Sequence, residues 1–133
     1  HGVEDAVIEI PERRPFLHIL YFLSQVKGVI VLGSTEKHYT ASKIFQSILS
    51  NKPVFPIFHH QSSAVEILNL CKADNYLVKY EEELDETSFK KSVGINFNNF
   101  INSEYWEVDI NALSAYSAAM STQKLAEKID LLS

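Results

Sequence analysis

Along the first half of the chain, apolar and polar positions alternate between two rhythms. From Arg13 to Gln25 the apolar residues Phe16, Leu17, Ile19, Leu20 and Leu23 recur at three- and four-residue spacing, which predicts a helix with Pro15 in its first turn and Gly28 at its end. The run from Gly28 to Gly33, GVIVLG, has no polar alternation and is β-branched, the signature of a strand buried on both faces of a parallel sheet. Thr40 then caps a helix of about ten residues, TASKIFQSILS, broken at Asn51 and Pro53. VFPIF at Val54 to Phe58 reads as a second buried strand, and Gln61, Ser62 and Ser63 open a helix whose inner face is Val65, Ile67, Leu68 and Leu70.

Flanking these are a short β-prone run, AVIEI at Ala6 to Ile10, closed by Pro11, and a further strand, YLVKY at Tyr76 to Tyr80. A Glu-rich turn leads to a helix around Ser88 to Ile101, and a last helical region spans Asn111 to Leu132. Strands separated by helices imply βαβ units with right-handed crossovers. The expected fold is therefore α/β, a three-layer Rossmann-like domain with a parallel sheet and helices on both faces.

Length and composition narrow this picture. The 133 residues are 46% hydrophobic and 22% charged, which fits one globular domain able to bury roughly two-thirds of its unfolded surface. No apolar run approaches the roughly 20 residues that cross a bilayer. A net charge of −5 argues against nucleic acid as a partner, because phosphate neutralisation by Lys and Arg supplies most of that affinity. Cys71 is the single cysteine and sits in apolar ILNLCK, so a buried structural thiol and a reducing, cytoplasmic setting are expected. The chain begins HGVEDAV, without methionine or a basic leader, as expected of a piece of a longer protein.

In an open parallel sheet, chemistry collects beyond the carboxyl ends of the strands. Three loops are candidates: Gly33 to Tyr39, Phe58 to Ser63, and the segment after Tyr80. On the helix after the first loop, Lys43, Gln46, Ser47 and Ser50 fall on one face opposite Ile44, Phe45, Ile48 and Leu49. That stripe suits hydrogen bonding to ribose or sugar hydroxyls, though from composition alone a solvated or domain-facing surface is the favoured explanation. Ser62 and Ser63 could present N–H groups to a phosphate or act as an ordinary cap. His59 and His60, adjacent at a strand end, should point in opposite directions, so no metal site is expected. Arg13 and Arg14 read either as a phosphate clamp or as a solvated first turn, and the Glu81 to Glu86 run as a solvated acidic loop. No GxSxG, HExxH, Walker or GxGxxG motif is present.

Taken in order, GVIVLGS, ASKIFQSILSNKPV, HHQSSAVEIL and NYLVKY resemble the donor-binding C-terminal domain of GT-B fold glycosyltransferases, of the glycosyltransferase 4 or group 1 type. The resemblance covers about Ala6 to Tyr80. In a common version of that family a strand ends in Ser, and the next helix runs from Lys through an acidic residue to Gly-Lys-Pro-Val; here Lys43, Gln46 and Asn51 to Val54 fall on that pattern. The resemblance implies a nucleotide-sugar site at Ser34, Thr35, His38, Lys43, Gln46, Ser62, Ser63 and Glu66. It implies transfer of a sugar from a nucleoside-diphosphate sugar, as in polysaccharide biosynthesis, without a cofactor or metal. An acceptor-binding N-terminal domain would lie upstream of this C-terminal half, and the full-length protein could associate with a membrane.

Two family carboxylates eight positions apart match His38 and Gln46 here. Gln46 can accept from a ribose hydroxyl through its amide oxygen, whereas His38 brings no negative charge to a developing oxocarbenium ion. The competing readings are a degenerate transferase and a non-catalytic flavodoxin-like or receiver-like domain that binds a partner protein.

Overall fold

A computed structural model describes residues 2–34, 36 and 42–131. The order of regular elements is α1 (Phe16–Gln25), β1 (Val29–Leu32), α2 (Lys43–Leu49), β2 (Val54–His59), α3 (Ser63–Leu70), β3 (Val78–Tyr80), α4 (Glu86–Ile101) and α5 (Ala118–Asp130). Two 3-10 helices, Glu4–Ala6 and Ile110–Tyr116, complete it. The three strands form one parallel sheet in the order β1-β2-β3, with Val29 opposite Val54 and Ile57 opposite Val78. This is the α/β, Rossmann-like architecture that the alternation of rhythms predicts.

Period-two alternation assigns the two faces of the central strand. Val54 and Phe58 enter the main core with Val31 of β1, Ile44 and Ile48 of α2, and Ala64, Ile67 and Leu68 of α3. Phe55, one residue out of phase, meets α4 on the other face, its ring centroid 5.5 Å from both Phe97 and Phe100. Helices thus cover both faces of β2. The C-terminal segment closes the α2 side, with Trp106, Val108, Ala112 and Leu113 packed on the core and Tyr116 against Phe45 at 5.4 Å.

Helix ends follow local chemistry. Pro15 precedes α1 because it lacks the N–H that a helix interior needs. Asn51, at φ 53°, ends α2 in the left-handed region that Asn tolerates better than most residues. Asp85 caps α4 by accepting from the Thr87 N–H at 3.2 Å and from the Ser88 hydroxyl. The Ser88 hydroxyl and then the Thr87 N–H hold the Asp85 carboxyl below its ordinary value.

Several expectations need correction. AVIEI is not a strand: after the 3-10 turn at Glu4–Ala6 it makes no ladder, and Val7, Ile8 and Ile10 are exposed. Its β-prone composition alone does not bring it to a sheet edge, because strand propensity depends on the packing context. β1 is a strand but is not buried on both faces, because it lies at the sheet edge and its alternate residues Ile30 and Leu32 are exposed. The α1 helix stops at Gln25, three residues before Gly28. The α2 helix begins at Lys43; the Thr40 cap falls outside the described residues. Leu70 is exposed, since it sits at the last turn of α3 past the core. The last helical region is two pieces, broken at Ser117, whose side chain accepts from the Met120 N–H and starts α5 afresh.

Cys71 is fully buried, as its apolar neighbours suggest. Burial first, and the nearby Asp109 charge second, push its thiol above the ordinary value. The native protein is expected to resist iodoacetamide at neutral pH and to be alkylated at Cys71 only in denaturant, read by mass spectrometry. Rapid labelling without denaturant would show that the α3 end opens in the native state.

Candidate functional site

The opening residues of α2 settle how its polar stripe is used. Ser47 is 3% exposed, and its hydroxyl donates to the Lys43 carbonyl at 3.0 Å. Ser50 donates likewise to the Ser47 carbonyl at 2.6 Å. Such bonding to the preceding turn occupies the hydroxyl within the helix itself. Of the four stripe residues, Lys43 and Gln46 have no side-chain hydrogen bond or ion pair among the described residues, Lys43 exposed and Gln46 half-buried.

Those two residues line one wall of an open concavity of about 820 Å³ along β1. The opposite wall comes from Arg13 and Arg14, just before α1, and from Phe16 and Ile19 of its first turns, and the floor is Val29 to Leu32. Three cationic side chains and an amide therefore surround an apolar floor. Arg14 is partly offset by Glu12 at 3.5 Å, a surface pair of small energetic weight. Arg13 and Arg14 stand in the same concavity as Lys43, a juxtaposition that sequence spacing could not supply.

Other candidates lie apart. Ser34 is half-buried after β1; its carbonyl accepts from the Tyr80 hydroxyl at 2.6 Å, and its side chain accepts from the Glu36 N–H at 3.2 Å. Thr35 and His38 lie outside the described residues. Ser62 is buried and is the α3 cap, accepting from the Ala64 N–H at 3.2 Å, which matches the bland alternative for that serine. Ser63 is half-buried and Glu66 exposed on the same helix. Among the described residues, none of Ser34, Ser62, Ser63 and Glu66 lines the Lys43 concavity.

The two histidines do not splay apart as expected. Strand alternation ends at His59, and the rings of His59 and His60 stack at 4.6 Å with planes 28° apart. His59 is 2% exposed, and its Nδ1 accepts from the Gln61 N–H at 3.2 Å. Its Nε2 is buried without a hydrogen-bond partner among the described residues, a condition that costs about 1–3 kcal/mol in a folded protein. His60 is exposed and lies 3.9 Å from Glu81. Sequence reasoning missed this pocketed histidine because adjacent residues at a strand end were assumed to keep the strand's alternation.

Among the described residues no three His, Cys, Asp or Glu side chains are grouped to hold a metal, and no helix is long and apolar enough to cross a membrane. The chain matches no protein-family model, no curated protein and no solved structure.

Proposed function

We propose that this domain binds the nucleotide of a nucleoside-diphosphate sugar and serves as the donor half of a glycosyltransferase. The observation that carries the reading is the convergence of Lys43 and Gln46 with Arg13 and Arg14 on one concavity in a chain of net charge −5. Local positive charge in an acidic protein suits a compact polyanion, because the cations gain most where a diphosphate can meet several at once. Lys43 and Arg13 are assigned to the diphosphate and Gln46 to the ribose hydroxyls, with Phe16 and Ile19 offering an apolar wall to the base. Such a site positions a leaving nucleoside diphosphate through charge and hydrogen bonds. A protein-docking module reading Lys43 to Ser50 as a flat solvated face fits less well, because Lys43 and Gln46 of that face line a hollow.

The test is calorimetric titration of the protein in its full natural length with UDP, GDP and ADP, each alone and as its glucose conjugate. One base series is expected to bind saturably, more weakly as salt rises. Absence of heat and of any spectral change with all six would overturn the reading.

A further inference from the structure

We infer that the outer edge of β1 takes up segment 7–10, VIEI, of a second copy of this chain as a further strand, in a reciprocal exchange that gives a symmetric dimer. Parallel pairing decides which backbone groups that edge presents. Val29 donates its N–H to the Pro53 carbonyl at 2.9 Å and Gly33 donates to the Ile57 carbonyl at 2.8 Å, both on the β2 side. Ile30 and Leu32, at the alternate positions, turn their N–H and C=O groups the other way. Among the described residues no strand meets them, so β1 offers a short template for pairing. The template is also apolar. Ile30 and Leu32 are 53% and 66% exposed, and Ile30, in register with Phe55, lines a concavity of about 820 Å³ with Phe97, Phe100 and Ile101 of α4.

Segment 7–10 has the matching deficiency. Val7 is already extended, at φ −115° and ψ 128°, and Val7, Ile8 and Ile10 are exposed, Ile8 at 90%. Period-two alternation puts Ile8 and Ile10 on one face and Val7 and Glu9 on the other. Laid along β1 with its isoleucines beside Ile30 and Leu32, the segment turns Glu9 to the α2 side of the sheet, toward the concavity of Arg13, Arg14 and Lys43. Lys27 and Lys52 line the concavity on the α4 side, and among the described residues no carboxylate lines either one. An acidic, apolar strand therefore suits this edge in charge as well as in shape.

Charge also selects the occupant. Pairing β1 with β1 of another copy would bring two sets of these cations together, which disfavours that simpler two-fold contact. Within one chain, Ile10 precedes Pro11 and Arg14 precedes Pro15, which biases the connection to α1 toward extended backbone and against folding back along the helix. Such an arm reaches the edge of another copy, and exchange of an identical element is a low-cost route to a dimer. The exchange draws on the β1 backbone and on Ile30 and Leu32, so it stands whether or not a nucleotide binds; Glu9 and a diphosphate would compete for the same cations.

The test therefore uses the protein in its full natural length without nucleotide, by sedimentation equilibrium and by amide hydrogen exchange resolved at single residues. A monomer–dimer equilibrium with Kd on the order of 1–100 µM is expected, with the Ile30 and Leu32 amides exchanging slowly only in the dimer. Ile8→Lys, at a position too exposed to affect the fold, should weaken the dimer roughly tenfold or more and release both amides. Ile30→Lys should do the same from the other side of the contact, and Glu9→Lys should weaken the dimer severalfold, less so at high salt. A monomer at every concentration up to about 1 mM would overturn the inference. So would a dimer that Ile8→Lys leaves unchanged, as β1 pairing with β1 predicts, or one that forms without protecting the two amides. Protection of Ile30 and Leu32 in the monomer would overturn it as well, by giving the edge to a strand of the same chain. Nucleotide binding is measured separately, so either reading can fail alone.

Discussion

Phe58→Ala is expected to destabilise the domain by about 3–5 kcal/mol, the largest single-residue effect on folding that the core predicts. Phe58 is fully buried in β2 and joins β1, α2 and α3 in one cluster with Ile44, Ile48 and Leu68. Its ring also fills the space beside Gly33, where an added Cβ would stand 2.7 Å from the Phe58 Cδ1. Neighbours cannot close the void easily, because the sheet holds Gly33 in place through its N–H donated to the Ile57 carbonyl at 2.8 Å. Against a total stability of roughly 5–15 kcal/mol, the loss should lower the melting temperature by on the order of 10–20 °C. Leu70→Ala is the control. At 48% exposure it should change stability by no more than about 0.5 kcal/mol. Denaturant titration of both variants decides, and a larger loss for Leu70 than for Phe58 would invert the core described here.

The same pair shows what a sequence can and cannot convey. VFPIF is legible because a strand covered on both faces has to be apolar at every position, whatever covers it. GVIVLG carries the same pattern, yet only Val31 of it is buried. Composition records a residue's affinity for a core, while the sheet order that leaves β1 at an edge is decided by long-range pairing. AVIEI fails for a related reason: β propensity is realised only where a neighbouring strand offers its backbone. The helical elements were easier, since α2, α3 and α4 carry their own ends in Asn51, Ser62 and Asp85. The break at Ser117 was also written locally, as a serine three residues before Met120, but it lies within a run whose apolar spacing continues across it.

The candidate site divides in the same way. Spacing alone placed Lys43, Gln46, Ser47 and Ser50 on one helix face, and that placement is sound geometry. It could not tell which of them are spent inside the helix, because a serine that bonds to the preceding carbonyl looks the same in sequence as one that faces a ligand. Nor could it bring Arg13 and Arg14 to the opposite wall, which depends on how α1 lies against the edge of β1. His59 was legible as a residue at a strand end and not as a buried ring stacked on His60, since the strand's alternation ends there.

Lys43→Glu is expected to weaken nucleotide binding by roughly 10–100-fold, the value of one charge-assisted hydrogen bond to a diphosphate. The substitution separates binding from folding. Lys43 is exposed at the first position of α2, where a carboxylate interacts favourably with the helix dipole, so the variant should fold at least as well as the parent. Gln46→Ala should cost roughly 3–10-fold through the ribose, with little change in salt dependence, because a neutral amide is lost. Ser47→Ala should alter affinity less than about twofold, since its hydroxyl is bound to the Lys43 carbonyl and its side chain is buried. Calorimetry of the three variants with the nucleotide that the parent binds gives the ranking. If Ser47→Ala loses as much as Lys43→Glu, the stripe acts through the integrity of α2 and the assignment of Lys43 to the diphosphate is wrong. If Lys43→Glu binds as the parent does, the nucleotide lies elsewhere than the concavity along β1.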